Sequence, residues 1–124
     1  MNLVTQLVEL TQKYIPTGQS DESLASHFQY ELDHDEIAWM GRGDKVLAFC
    51  DWSWISEQAD IQPAHEGQPT SGPVLCILNL VLTEPRLMWP GYRLLPDHRW
   101  MVWRDYLTHE IHAPKGWPHV EVTA

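Results

Sequence analysis

Val74-Leu75-Cys76-Ile77-Leu78-Asn79-Leu80-Val81-Leu82-Thr83 is a run of ten residues in which Asn79 is the only polar side chain before the terminal threonine. Leucine and β-branched residues in so unbroken a series, with Gly72 and Pro73 before them and Pro85 after, predict a strand covered on both faces. Such a strand belongs in the interior of a small mixed sheet. The loop that follows, Glu84 to Arg93, turns into a short helical pattern just where open α/β sheets place their ligand crevices.

Toward the N-terminus, Ile37–Arg42 and Lys45–Ile55 are strand patterns joined by Gly43-Asp44, a turn of hairpin length and chemistry. Before them, Asn2 can cap a helix carrying Leu3, Leu7, Leu10 and Tyr14 at helical spacing, with Val4 and Val8 widening the stripe up to Pro16 and Gly18. Ser20 or Asp21 caps a second helix with an apolar face of Leu24, Phe28 and Leu32, closed by Asp33-His34-Asp35-Glu36. Between hairpin and central strand, Ser56–Gly72 holds Pro63, Gly67 and Pro69 and no apolar period, which predicts a long mobile surface loop after one helical turn. Beyond the central strand the pattern gives a short helix Leu87–Leu95, a break at Pro96-Asp97, a strand Arg99–Leu107 and an edge strand Val120–Val122. The expected fold class is therefore α/β in the broad sense (α+β). It has a small, mainly antiparallel sheet, two N-terminal helices and one short helix after the central strand, in a single domain over residues 1–124.

Seventeen acidic residues against eight basic ones give a net charge of -9, which argues against nucleic acid or an anionic membrane as the main partner. A basic protein partner, or simple solubility, suits that charge. Cys50 and Cys76 fall in apolar strand patterns, the setting of free thiols in a reducing compartment. The opening MNLVTQLVELTQKY carries Glu9 within its apolar part and lacks the basic start of a signal peptide, so a cytoplasmic location is expected.

The run Lys45-Val46-Leu47-Ala48-Phe49-Cys50-Asp51-Trp52-Ser53-Trp54, an acidic loop, Ser71-Gly72, and then Leu75 to Val81 resembles the middle of a GNAT-superfamily N-acyltransferase domain. Within that superfamily the chain is most similar to the shortened toxin-activating lysine acyltransferases. The resemblance implies an acyl-thioester, acyl-CoA or acyl carrier protein, bound where the central strand splays from its neighbour, with phosphate at the start of the next helix. It points to Leu82, Thr83, Arg86, Gly91 and Arg93 as the binding residues, with Glu84 as general base and Tyr92 as the acid that protonates the leaving thiolate. The superfamily's pyrophosphate motif, Arg or Gln followed by spaced glycines, is replaced here by Arg86-Leu87-Met88-Trp89-Pro90-Gly91-Tyr92, in which Pro90 removes an amide donor and Trp89 adds bulk. The toxin-activating branch, which takes its acyl group from acyl carrier protein, departs from the motif too. That branch uses an N-terminal His and an Asp on the central strand; here the nearest strand position is Asn79, and the first helix has no His.

Other residues bear on function without the resemblance. Glu84 can equally complement a helix dipole, and Tyr92 or Tyr106 can be core-edge residues. His109 and His112 stand three positions apart near His98, Asp105 and His119, but no zinc spacing of recognised type is present and no metal site is expected. Of the seven tryptophans, Trp39, Trp52, Trp54, Trp100 and Trp103 lie on predicted strands, where alternation places some on each face. Exposed tryptophan beside arginine is interface composition, and with an open sheet edge it predicts a homodimer. Two readings follow: an acyltransferase-type domain, or a non-catalytic GNAT-like acidic interaction or structural protein, for example a phage or mobile-element product acting through its tryptophans.

Overall fold

The computed structural model of the chain describes residues 2–113. Its elements run α1 (Leu3–Tyr14), α2 (Asp21–Asp33), β1 (Ile37–Arg42), β2 (Lys45–Ile55), a 3-10 turn (Gln58–Asp60), α3 (Ile61–His65), β3 (Val74–Leu82), a second 3-10 turn (Pro85–Leu87), α4 (Met88–Tyr92), β4 (Trp100–Arg104) and β5 (Ile111–His112). The five strands form one sheet in the order β1-β2-β3-β4-β5, so the run that predicts an interior strand is the middle one. β1–β2 and β4–β5 pair antiparallel. β3 and β4 pair parallel, from Val74↔Trp100 to Ile77↔Trp103, as a crossover through α4 requires. The mixed α+β architecture with two N-terminal helices and a short helix after the central strand is the one the sequence predicts. Among the described residues no helix is long and apolar enough to cross a membrane.

The chain divides into two compact units, the first comprising the chain up to Asp51 with Asn79–Pro96, the second Trp52–Leu78 with the described chain from Asp97 on. In the first unit Asn2 Oδ1 accepts the Thr5 amide and Ser20 Oγ the Ser23 amide, satisfying amides that both helix starts leave unpaired. Gln6 fastens α1 to the hairpin turn: its Nε2 donates to Asp44 O at 2.7 Å and its Oε1 accepts the Val46 amide at 2.8 Å. The two-residue turn needs a positive φ at its first position, and Gly43, at 62°, supplies it. Leu7, Leu24, Phe28, Phe49 and Val81 are buried, with Phe28 and Phe49 edge to face at 5.4 Å. One expectation is revised here. The stripe of α2 is Leu24, Phe28 and Glu31; Leu32 is only half-buried, because the fourth-then-third spacing that carries Leu24 and Phe28 inward carries Glu31 in with them.

In the second unit Ile55, Ile61, Ala64, Val74, Cys76, Leu78 and Val102 form one buried cluster, with Trp100 and Ile111 against it. Ile61 and Ala64 correct the reading of Ser56–Gly72 as a loop. Three positions apart, they are the apolar face of a helix too short to show a period, and they bury it in this cluster. Asp60 Oδ2 accepts the amides of Ser56 and Glu57, and Ser56 Oγ donates to Ser71 O, so the connection is tied down at both ends. Gly72, at φ 148°, lies with its Cα against the Ile55 carbonyl, where a side chain has no room.

Two boundaries also move. The predicted helix Leu87–Leu95 is a 3-10 turn opened by Pro85 followed by a single helical turn that ends beyond Pro90-Gly91. The predicted strand Arg99–Leu107 stops at Arg104, because the Asp105 side chain accepts the amides of Leu107 and Thr108 and folds the chain into a turn that returns β5. Val120–Val122 lies outside the described residues.

Candidate functional site

Three apolar elements of the first unit each carry one polar side chain inward, and the three meet. Glu31 comes from α2 and is 2% exposed; Asp51, the only charged residue between Lys45 and Ile55, comes from β2 at 0%; Asn79, the only polar residue of β3, is 8% exposed. His27, one helical turn before Glu31, completes the group, its Nε2 3.2 Å from Glu31 Oε2 at ion-pair distance but off the line of a hydrogen bond. Asn79 Nδ2 donates to Asp51 Oδ2 at 3.0 Å. Each of His27, Glu31 and Asp51 offers an atom within 4.8 Å of the other two.

Two facing carboxylates away from water cannot both stay ionised without a counter-charge, since the desolvation cost is on the order of several kcal/mol per ion. Burial pushes the Glu31 carboxyl up to about 8, with Glu36 adding to the rise and the hydrogen bond to Asp51 opposing it. Asp51 is pushed well above the usual carboxylate range by burial, then by the charge of Glu31, while His27 and Asn79 pull it back. Glu36, beside them, is raised chiefly by burial. Burial and the same two acids push the Cys50 thiol up, so it is no thiolate nucleophile. Cys76 is fully buried. The group can hold a proton between its carboxyls or a cation among all three donors.

The residues that the family resemblance singles out lie in the same unit, from the end of β3 through the following turn to the end of α4, and are half-buried or exposed. Leu82 is half-buried. Thr83 is anchored, with both its amide and its Oγ1 donating to Leu47 O. Glu84 accepts from Arg86 Nε at 2.7 Å, and that hydrogen bond, followed by the charges of Arg86, Arg42 and Lys45, holds its carboxyl below the usual range. A carboxyl so held is a weaker base than a free one. Gly91 comes close to the Met40 sulfur on β1. Arg93 and Tyr92 are exposed, the Tyr92 ring edge-on to Trp89, itself 74% exposed.

No protein-family model, curated protein or solved structure matches this chain. Of the other residues weighed from sequence, His34 caps α2 and stacks on Tyr30 at 4.0 Å, which makes Asp33–Glu36 a helix end. His112 stacks on Trp103 at 5.1 Å, and His109 sits in the Asp105 turn at φ 60°. The Tyr106 hydroxyl is 3.3 Å from His65 Nδ1.

Proposed function

We propose that this chain is a GNAT-like domain that docks an acyl-thioester carried by an acidic protein, of the acyl carrier kind, and passes the acyl group to an amine. The observation that carries this reading is a cluster of cations about Glu84. In a chain of net charge -9, Arg86, Arg42 and Lys45 all act on the Glu84 carboxyl at the loop after β3. Beside them Met88, Trp89 and Tyr92 are exposed on α4, which packs against β1. Aromatic anchors ringed by arginine suit a protein interface, and cations suit both an acidic carrier and the phosphate of its prosthetic arm. The parallel β3–β4 ladder ends at Ile77↔Trp103 while β3 runs on to Leu82, which agrees with the splayed strand expected from the resemblance. In the transfer, the neutral amine nitrogen attacks the thioester carbonyl, the C–S bond breaks to leave a thiolate on the carrier, and the proton lost by the nitrogen is relayed through water or a carboxylate to that sulfur, giving the amide and the carrier's free thiol. The two free cysteines agree with a reducing, cytoplasmic setting.

A second reading is favoured by the Glu84–Arg86 pair, which weakens the carboxylate that the resemblance makes the base. On that reading the same surface binds a partner or a second copy of the chain without catalysis. Fluorescence-detected binding of a fatty-acylated carrier protein, followed by mass spectrometry of a lysine peptide incubated with both, separates them. Binding with acylation supports the transferase, binding without acylation refutes it in favour of docking alone, and no binding refutes the transferase outright.

A further inference from the structure

We propose that His27, Glu31 and Asp51 form a binding site for one divalent transition-metal ion, of the zinc or manganese class, inside the first unit. His27 and Glu31 lie four positions apart on α2, the spacing that sends two side chains off the same helical face. Asp51 reaches the same point from β2, opposite Ile37. Ligands of one such ion sit ~2.0–2.2 Å from it and hence at most about 4 Å apart. His27 Nε2 and Glu31 Oε2, 3.2 Å apart, already lie within that range, and the separations of up to 4.8 Å in the group require the carboxyl groups to rotate inward on binding.

The second observation is that buried donor atoms are left over. Among the described residues no N–H or hydroxyl group donates to Glu31 Oε1 or Oε2 or to Asp51 Oδ1, so these oxygens have only each other and the nearby His27 Nε2 to pair with, although Glu31 is 2% and Asp51 0% exposed. Buried carboxylate oxygens of this kind are nearly always paired, because leaving them bare forfeits their hydration with nothing in return. An ion of charge +2 balances both carboxylates at once, a match that a single shared proton does not give. Asn79 supports the arrangement from outside: its amide fixes Asp51 Oδ2 and leaves Oδ1 for the centre of the group, the part an outer-sphere residue plays in metal sites. One imidazole with two carboxylates is a borderline-to-hard donor set, suited to zinc and manganese and unsuited to copper(I). His27, whose side chain keeps 15% of its surface exposed, is the point of entry from solvent.

The test uses the whole chain, stripped with a chelator and titrated calorimetrically with zinc chloride and with manganese chloride. X-ray absorption at the zinc edge is then recorded on the wild-type complex. The expected result is saturable one-to-one binding and a zinc shell of one imidazole with oxygen donors. His27→Gln and Asp51→Asn should each weaken binding at least tenfold while circular dichroism stays unchanged, and Asn79→Ala should weaken it about tenfold. Absence of one-to-one binding by either ion overturns the proposal. So does undiminished binding in a folded His27→Gln chain, which places the ion elsewhere, for instance at His109 and His112. A zinc shell containing sulfur or two imidazoles overturns it on the wild-type chain alone, whatever becomes of the variants.

Discussion

Replacing Glu31 by Gln in the metal-free protein removes one of two buried carboxyls whose ionisation the surroundings oppose. In the unfolded chain a glutamate titrates at its ordinary value of 4.5; in the fold burial holds Glu31 at about 8. The folded state thus keeps a proton that the unfolded state has lost, so stability falls as pH rises across that interval, by ~1.4 kcal/mol for each pH unit. The penalty starts near pH 4.5 and levels off above about 8. There it amounts to roughly 5 kcal/mol, a large share of a small domain's ~5–15 kcal/mol. Glutamine occupies nearly the same volume, is never charged and donates an N–H to the Asp51 carboxylate. Glu31→Gln should therefore be close to wild type at pH 5 and more stable by on the order of 3 kcal/mol at pH 8. Urea denaturation followed by tryptophan fluorescence, at half-unit steps from pH 5 to 8.5 with chelator present, measures both curves. Parallel curves, or a wild type that gains stability toward pH 8, would refute the buried-carboxyl argument.

Three other substitutions probe the fold and the surface. Leu78→Asp puts an unpaired charge into the cluster of Ile55, Ile61, Val74 and Val102, and should leave no cooperative unfolding transition by circular dichroism. Gly72→Ala forces a methyl group against the Ile55 carbonyl at a φ of 148° and should cost more than about 1 kcal/mol in urea denaturation. Trp89→Ala, at a ring 74% exposed, should leave stability within about 0.5 kcal/mol of wild type while weakening binding of an acylated carrier protein.

The hairpin, both helix caps and the central strand were legible because each is specified by neighbours in sequence: Gly43-Asp44 between two alternating runs, Asn2 and Ser20 ahead of apolar stripes, prolines on either side of Val74–Leu82. α3 was not legible, since Ile61 and Ala64 are its only buried residues and their burial is decided by partners such as Val74 and Val102 far along the chain. The group of His27, Glu31, Asp51 and Asn79 left a fainter trace. Each of the last three is the lone polar residue on an apolar stripe or run, a conflict between pattern and chemistry that often marks a functional or strained position. Sequence does not show that the three exceptions meet, because that follows from how α2 lies on the sheet. Nor does net charge show that Arg42 and Lys45 of the hairpin and Arg86 after β3 all act on Glu84.

Backbone amide NMR of the isotope-labelled chain, titrated with an unlabelled acylated carrier protein, tests the docking surface most directly. The predicted result is a salt-sensitive set of shifts at Thr83–Arg93, Arg42 and Lys45, lost when Arg42 and Arg86 are both changed to Ala. Absence of shifts at low salt, or shifts centred on Trp103 and Leu107 in the second unit, would contradict it.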